Sequence, residues 1–479
     1  MKTHQHTLNA FTKKTSAKRV FVWRMLLIFF LYIIAPVGTF AGTSKPGNAA
    51  IINNSPVIQV QIHHININNG DASIIRLIHQ DGTETKVLID GGQLNASQAL
   101  LPYINGMFSN AHFQYVILTH YHNDHYNGLF ALENGAITSE YYVDLGGYNM
   151  TNFVDASMLA LIQPNDTTCP WTGADGVFGG TMGEYETVLG KAVKHGLKRY
   201  MPLSKDNDHI QDMIGVQIPL GTFERNNINV PITLRCVAAW GFTQGNGAVV
   251  DNWKRGASKN DPTLGFVLEC GEFRYFFGGD MGGDPTGAYI DQETTLASGF
   301  EYLYKGSRSV FNPTSTYNGH ICGFKANHHG STHSNNTAFL AQMHASVCIT
   351  SAGDHSSWHL PSVYFINQLS ATSPITLPAD IPSTSAPNLV AQGFFFTNLH
   401  DFGSPNNSLA TANHLFIKRQ RTAYGYGTIG TNSFKRGFMI TVRLDDPDID
   451  PTKISAFYVV AVTDSFKLTD PAFIFCHQK

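Results

Sequence analysis

No two of the six cysteines (Cys169, Cys236, Cys270, Cys322, Cys348, Cys476) stand in a C-x-x-C pair, which excludes the usual zinc-ribbon and dithiol-redox spacings. Most of them sit in apolar, strand-like runs, where a buried free thiol is expected. Charged residues are scarce at 14% and hydrophobic ones abundant at 43%, so the chain can bury a large core and is not a disordered segment. Basic residues become the scarcer charge once the N-terminus is set aside. Residues 1–41 hold Lys2, Lys13, Lys14, Lys18, Arg19 and Arg24 but no acid, which leaves 26 Lys and Arg against 35 Asp and Glu, a formal charge of −9. That excludes the broad basic field of non-specific duplex binders, so extended duplex nucleic acid is not expected as a partner. No internal repeat is present.

What is present begins with a leader. The cationic start runs into the apolar stretch Met25–Phe40, and Thr39 and Ala41 place small residues at the minus-three and minus-one positions of a cut before Gly42. This is the grammar of a signal peptide at 1–41, and it predicts a periplasmic or secreted protein with no stable membrane span after cleavage. From Pro56 the pattern turns to strands, VIQVQIHHINI, ASIIRLIH and TKVLID, an opening meander with turn signals at Asn69-Gly70 and Asp81-Gly82. Gln98–Met107 reads as a helix, and FQYVILTH as a buried strand ending at Thr119. Strands and helices alternate to about Leu369, which predicts a layered α/β sandwich.

An insertion from about 140 to 261 carries its own helix, Glu184–Tyr200, and the aromatics Trp171, Phe178, Trp240 and Trp253. Such an insertion is expected to shape a substrate pocket or lid. The Pro- and Ser-rich stretch after Leu369 predicts a linker, so residues 56–369 form the main domain and 370–479 a linker and β-rich C-terminal region.

The chemistry lies in Thr119–His125, T-H-Y-H-N-D-H. His120 and His122 alternate along extended backbone and can share one metal, while Asp124 and His125 turn onto a second. Two imidazoles with a carboxylate suit Zn, Mn or Fe and leave positions open to water. A surface histidine run is the competing explanation, but four ligand-type residues in this pattern seldom arise by chance. A two-metal centre also needs a bridging carboxylate. In FRYFFGGDMGGD, Gly278-Gly279 turns the backbone after a strand and presents Asp280. CGFKANHHGSTHSNN then offers His328 and His329, of which one is expected to face the centre, and CITSAGDHSSWHLPS offers His355 and His359.

The order LIDGG, THYHNDH, GGD and HHGS resembles that of the metallo-β-lactamase superfamily, and the fuller set is similar to the exported hydrolase domain of ComEC-type DNA-uptake proteins and their free-standing relatives, including phosphorylcholine esterases. That set is NNGDASIIRL, VLIDGG, ILTHYHNDHYNGL, NDPTLGFVLECGEFRYFFGGD, FKANHHGSTHS and ITSAGDHSSWHLPS, framing residues 58–369. The resemblance implies an αββα sandwich, here with a β-rich C-terminal extension. It implies His120 and His122 on one metal, Asp124, His125 and His329 on the other, and Asp280 between them. Asp71, Asp90 and His328 would stand behind these ligands. Asp124 and His359 become the candidate catalytic residues, although Leu360 separates His359 from the proline that follows it in the family. The third imidazole that many superfamily members add to the first site has no clear counterpart, since only His195 and His209 lie in that interval. The implied activity is hydrolysis, with zinc as the expected ion and Mn or Fe fitting the same donors. A phosphodiester or phosphorylated small molecule is the expected substrate. A lactam, lactone or thioester, or an exported module that binds without catalysis, is left open by the residues themselves.

Overall fold

A computed structural model describes residues 53–67, 70–93, 97–145, 199–202, 213–225, 227–252, 260–284, 287, 289–306, 319–352, 360–372, 388–390, 393–397, 436–444, 454–462, 465, 467, 468 and 473–478. The leader, the cysteine at 169, His195, His209, His355, His359 and the aromatics Trp171, Phe178 and Trp253 lie outside the described residues.

The expected meander is β1 (Val57–Ile65), β2 (Ser73–His79) and β3 (Glu84–Ile89), paired antiparallel. Helix α1 (Leu100–Met107) follows, then β4 (His112–Ile117), α2 (Asn123–Tyr126), β5 (Thr138–Asp144) and β6 (Arg199–Pro202). Strands β3 to β6 run parallel to one another. Their apolar side chains are buried in β3, β4 and β5, as a sheet covered on both faces requires. Strand β4 ends two residues before Thr119, because Asp90 Oδ1 takes the Thr119 N–H at 2.8 Å and removes it from the ladder. Arg199 and Tyr200 are strand residues paired with Tyr141 and Tyr142, and not the last turn of a helix. The remainder of that helix lies outside the described residues.

The second sheet starts with β7 (Gln217–Arg225), β8 (Ile228–Ala239), β9 (Phe242–Gln244) and β10 (Val249–Asp251). Strands β11 (Gly265–Cys270) and β12 (Phe273–Phe277), helix α3 (Glu293–Tyr304), β13 (Gly323–Lys325), α4 (Thr337–Met343), β14 (Val347–Thr350) and α5 (Val363–Thr372) come next. The C-terminal strands are β15 (Asn388–Val390), β16 (Gly393–Phe396), β17 (Gly437–Arg443), β18 (Ile454–Val462) and β19 (Phe473–Gln478). One sheet has the order β15-β19-β18-β17-β1-β2-β3-β4-β5-β6, the other β10-β9-β8-β11-β12-β13-β14-β16 with β7 on β8.

The two sheets face each other across the main core. Tyr275 of β12 meets His64 of β1 at 2.8 Å between its hydroxyl and Nε2, and Phe273 packs on Phe457 of β18 at 5.4 Å. Outside the first sheet lies α1, whose Tyr103 abuts His63. Outside the second lie α3 and α4, whose Phe300 and Phe339 hold Phe276 between them at 5.5 and 5.7 Å. The layers are therefore αββα, and truncating Phe276 to Ala in such packing costs about 3–5 kcal/mol. Trp240 belongs to this interior as well. It is fully buried and donates its indole N–H to the Leu145 carbonyl at 2.8 Å. Cys236, Cys270, Cys322 and Cys348 are buried and form no disulfide among the described residues.

Candidate metal centre

The ligand loops are the connections at the ends of β4, β12 and β13, and the backbone forces them together. After β4 the chain enters α2, where Asp124 and His125 occupy the first turn. Two neighbouring loops strap this turn down. Asp71 N–H donates to the Asp124 carbonyl at 3.1 Å and Gly91 N–H to the His125 carbonyl at 2.6 Å. Gly70, at φ +89°, fits only as glycine, since a Cβ there would stand 1.7 Å from the Asp124 carbonyl oxygen. After β12, Gly279 at φ +52° turns the chain so that buried Asp280 points inward, as the sequence predicts.

Asp280 stands between two groups of side chains. Its Oδ2 is 3.6 Å from His120 Nε2, which in turn is 3.1 Å from His122 Nδ1. Its Oδ1 is 3.3 Å from His125 Nε2 and 3.5 Å from His329 Nε2. Asp124 joins the second group, 3.3 Å from His329 Nε2 and 3.9 Å from His125 Nε2. All six residues expected to hold metal are thus brought together.

Asp71, Asp90 and Ser351 hold the far sides of the imidazoles. Asp90 Oδ2 lies 2.8 Å from His125 Nδ1 and accepts the Thr119 hydroxyl. His329 Nδ1–H donates to the Ser351 carbonyl at 2.8 Å. Asp71 can be grouped by proximity with His125, Asp280 and His329, but it approaches the histidines at their Nδ1 atoms, at 4.0 and 3.3 Å, and its Oδ2 is bound by the buried Lys325 ammonium. It therefore backs the ligands, whereas Asp124 faces the Nε2 atoms. Such partners fix the tautomer and aim the lone pair.

His328 and His329 depart from expectation in one respect. They do not lie on extended backbone. Both are left-handed, at φ 47° and 54°, and Gly330 continues the turn at φ 76°. Both rings consequently approach Asp280, His328 with its Nε2 3.8 Å from Oδ2. His328 already has two partners, Asn260 Nδ2 at 3.0 Å and Ser331 Oγ at 3.1 Å. The whole loop is clamped from α3 by Glu293, which accepts from Asn327 Nδ2 at 2.7 Å and from the backbone N–H groups of Asn335 and Asn336 at 2.6 and 2.7 Å. Burial pushes the Glu293 carboxyl up to about 7, against these donors. Neither Lys325 nor Glu293 stands out in the sequence, where their partners are hundreds or tens of residues away.

The electrostatics ask for cations. Burial disfavours charge on His125 and His329, yet the carboxylates around them, Asp280 foremost, outweigh it and hold both imidazoles well above the ordinary histidine value. Burial would raise Asp280, but His329 and His125 draw it well below the carboxylate range. His120 goes the other way, pushed down by burial and by His125. Asp71, Asp90, Asp124 and Asp280 gather around these imidazoles, and Lys325 is paired with Asp71. In addition, His125 Nε2, His329 Nε2 and Asp280 Oδ1 are buried without a hydrogen-bond partner. Orphaned polar atoms of this kind are costly unless something occupies the space between them. The donor set, imidazole nitrogens with carboxylate oxygens converging on two points, fits transition-metal ions.

The family model for the Metallo-beta-lactamase superfamily matches residues 68–292, the stretch that carries Asp71, Asp90, His120 to His125 and Asp280. The fold is that of the metallo-β-lactamase superfamily. The match ends before His328 and His329, which the structure nevertheless brings to the same centre. No curated protein matches the sequence. Among solved structures, a diphosphatase from the PhnP family is similar at 11% identity and TM-score 0.29, covering 66% of this chain and 94% of that one. A long-form RNase Z from yeast is similar at 11% identity and TM-score 0.31, covering 72% of this chain but only 41% of its own. Unliganded yeast PDE1 is similar at 10% identity and TM-score 0.31, covering 78% and 96%. These are likenesses of trace and decide nothing about substrate.

Proposed function

We propose that the protein is an exported metal-dependent hydrolase of phosphodiesters or phosphorylated small molecules. The observation that carries this reading is the position of Asp280, one carboxylate with an oxygen toward each of two imidazole groups, as a two-cation centre requires. His120, His122 and Asp280 would hold one ion, and Asp124, His125, His329 and Asp280 the other. Zinc is the expected ion, with Mn or Fe fitting the same donors. Cations bound there would supply Lewis acidity and lower the pKa of a water. The chain's own residues do the rest. Asp90 and the Ser351 carbonyl keep His125 and His329 aimed. Asp124, its side chain 25% exposed where Asp280 is at 2%, is the carboxylate that would meet incoming solvent and accept a proton from water. The phosphate preference rests on the similarity of FKANHHGSTHS and its companion motifs to ComEC-type proteins and phosphorylcholine esterases. Export rests on the acid-free leader, and a mature N-terminus at Gly42 is its test.

Protein stripped with a chelator and reloaded with Zn or Mn should regain turnover of bis-p-nitrophenyl phosphate but not of a chromogenic lactam. Asp280→Ala should retain substoichiometric metal and lose activity by orders of magnitude. Full turnover after stripping, or an Asp280→Ala protein with full metal and full rate, would overturn the reading.

A further inference from the structure

Beside the metal centre stands an imidazole to which none of these roles has been given. His333 lies four residues beyond His329, in the loop that leads to α4. Its Nδ1 is 2.8 Å from Oδ2 of Asp284, a buried carboxylate four residues beyond Asp280. Tyr289 stacks on the ring at 4.7 Å and 28°, and the same tyrosine lies 5.3 Å from the ring of His328. The backbone fixes the loop as well. Gly283 N–H donates to the His333 carbonyl at 2.9 Å, and His333 N–H donates to Ser331 Oγ at 3.2 Å. The loops that carry Asp280 and His329 therefore orient this one ring between them. The side chain is still 40% exposed, and its Nε2 makes no hydrogen bond among the described residues. Burying a carboxylate to aim an exposed imidazole is costly as mere surface decoration. A ring held at Nδ1 by a carboxylate, with Nε2 presented to solvent, is the arrangement of an acid–base catalyst.

We propose that His333 is a catalytic acid, oriented by Asp284 and Tyr289, that protonates the leaving group at the Tyr289 side of the metal centre. The inference rests on the phosphodiesterase reading above. In the step, the oxygen of a water forms a bond to phosphorus while the phosphorus–oxygen bond to the leaving alcohol breaks. The proton on His333 Nε2 passes to the departing oxygen. The ring is left neutral, with its Nδ1–H still on Asp284, and the proton lost by water goes to Asp124 and then to solvent.

Two substrates of like shape separate this role from a structural one. Bis-p-nitrophenyl phosphate expels a stable phenolate that needs little help, whereas diphenyl phosphate expels a more basic one. His333→Gln should lower kcat on diphenyl phosphate by about 100-fold or more, within the range for a lost general acid, and lower kcat on the nitrophenyl ester by less than about tenfold, with metal content unchanged. Asp284→Asn should move the ratio of the two rates in the same direction. Equal losses on both esters, a change confined to KM, or loss of metal would overturn the assignment. If the unaltered protein turned over neither ester with metal bound, the phosphodiesterase reading would fall first and this inference with it.

Discussion

Two neighbouring histidines differ in what they have left to give. His329 spends Nδ1 on the Ser351 carbonyl and points an unpartnered Nε2 between Asp124 and Asp280. His328 has both ring nitrogens engaged, and burial pushes its pKa down to about 4 against the pull of Asp280. His329→Ala should therefore lower metal stoichiometry well below that of His328→Ala, measured by elemental analysis after gel filtration. The reverse order would mean that His328 is the ligand. The resemblance implies His329, but the geometry that sets the two rings apart was not legible in the sequence. Alternation along an extended strand would turn one ring away, whereas the left-handed pair brings both rings in, and a φ of +47° on a histidine leaves no trace in residue type. The H-x-H-x-D-H run and the Gly-Gly-Asp turn were readable because each holds its geometry within a few residues. The Lys325–Asp71 ion pair joins positions 254 apart and had no local signature.

At the scale of elements, the loops and strands that carry the site set its stability. Strand β1 buries His63, whose Nδ1 meets the Tyr103 hydroxyl of α1 at 2.9 Å. Burial, helped by Arg76, lowers its pKa from 6.5 to about 3. Between those values the folded state binds fewer protons than the unfolded chain. The stabilisation is complete above pH 6.5 and is lost by about 1.4 kcal/mol per pH unit as the pH falls toward the folded value. His63→Gln should make the stability curve between pH 6.5 and 4.5 shallower than that of the unaltered protein, and parallel denaturation curves would refute this. Glycines in the loops divide by surroundings. Gly70→Ala must move the Asp124 carbonyl as well as accept a positive φ, and should cost on the order of 2–3 kcal/mol while also weakening metal retention. Gly82, at φ +83° with nothing within 4 Å of a Cβ, should cost about 1 kcal/mol as Ala and leave metal content intact. The meander, α1 and a layered α/β sandwich were legible from periodicity, and the αββα order from the resemblance. The parallel strand at 199–202 was not, because its partner β5, and not its own sequence, decides its conformation.

For the whole molecule, charge and topology have separate consequences. From 26 Lys and Arg against 35 Asp and Glu beyond residue 41 we infer that a run of phosphates would find few partners on this protein. In the sequence Lys418, Arg419 and Arg421 stand close together and Lys435 precedes Arg436; the first four lie outside the described residues, and Arg436 is half-buried. Small phosphodiesters should be cleaved faster than duplex DNA, with rates on the small substrate nearly constant between about 50 and 200 mM salt, where phosphate-tracking proteins lose affinity by orders of magnitude. Steeply salt-sensitive DNA cleavage, abolished by reversing Arg419 and Arg421 to Glu, would contradict this. Topology acts earlier in the protein's life. The strand that opens the meander, β1, is interior to its sheet, and the neighbour on its free side is β17, paired from Gln59↔Arg443 to Ile65↔Gly437. Residues 66–436 separate the two. A ribosome must therefore make all of that stretch before β1 can find this partner, and until then a row of backbone donors and acceptors on that strand stays available to any other chain. Closure of this sheet is a late, long-range and hence slow event, so the interval between synthesis and the folded state is when this protein is most exposed to aggregation.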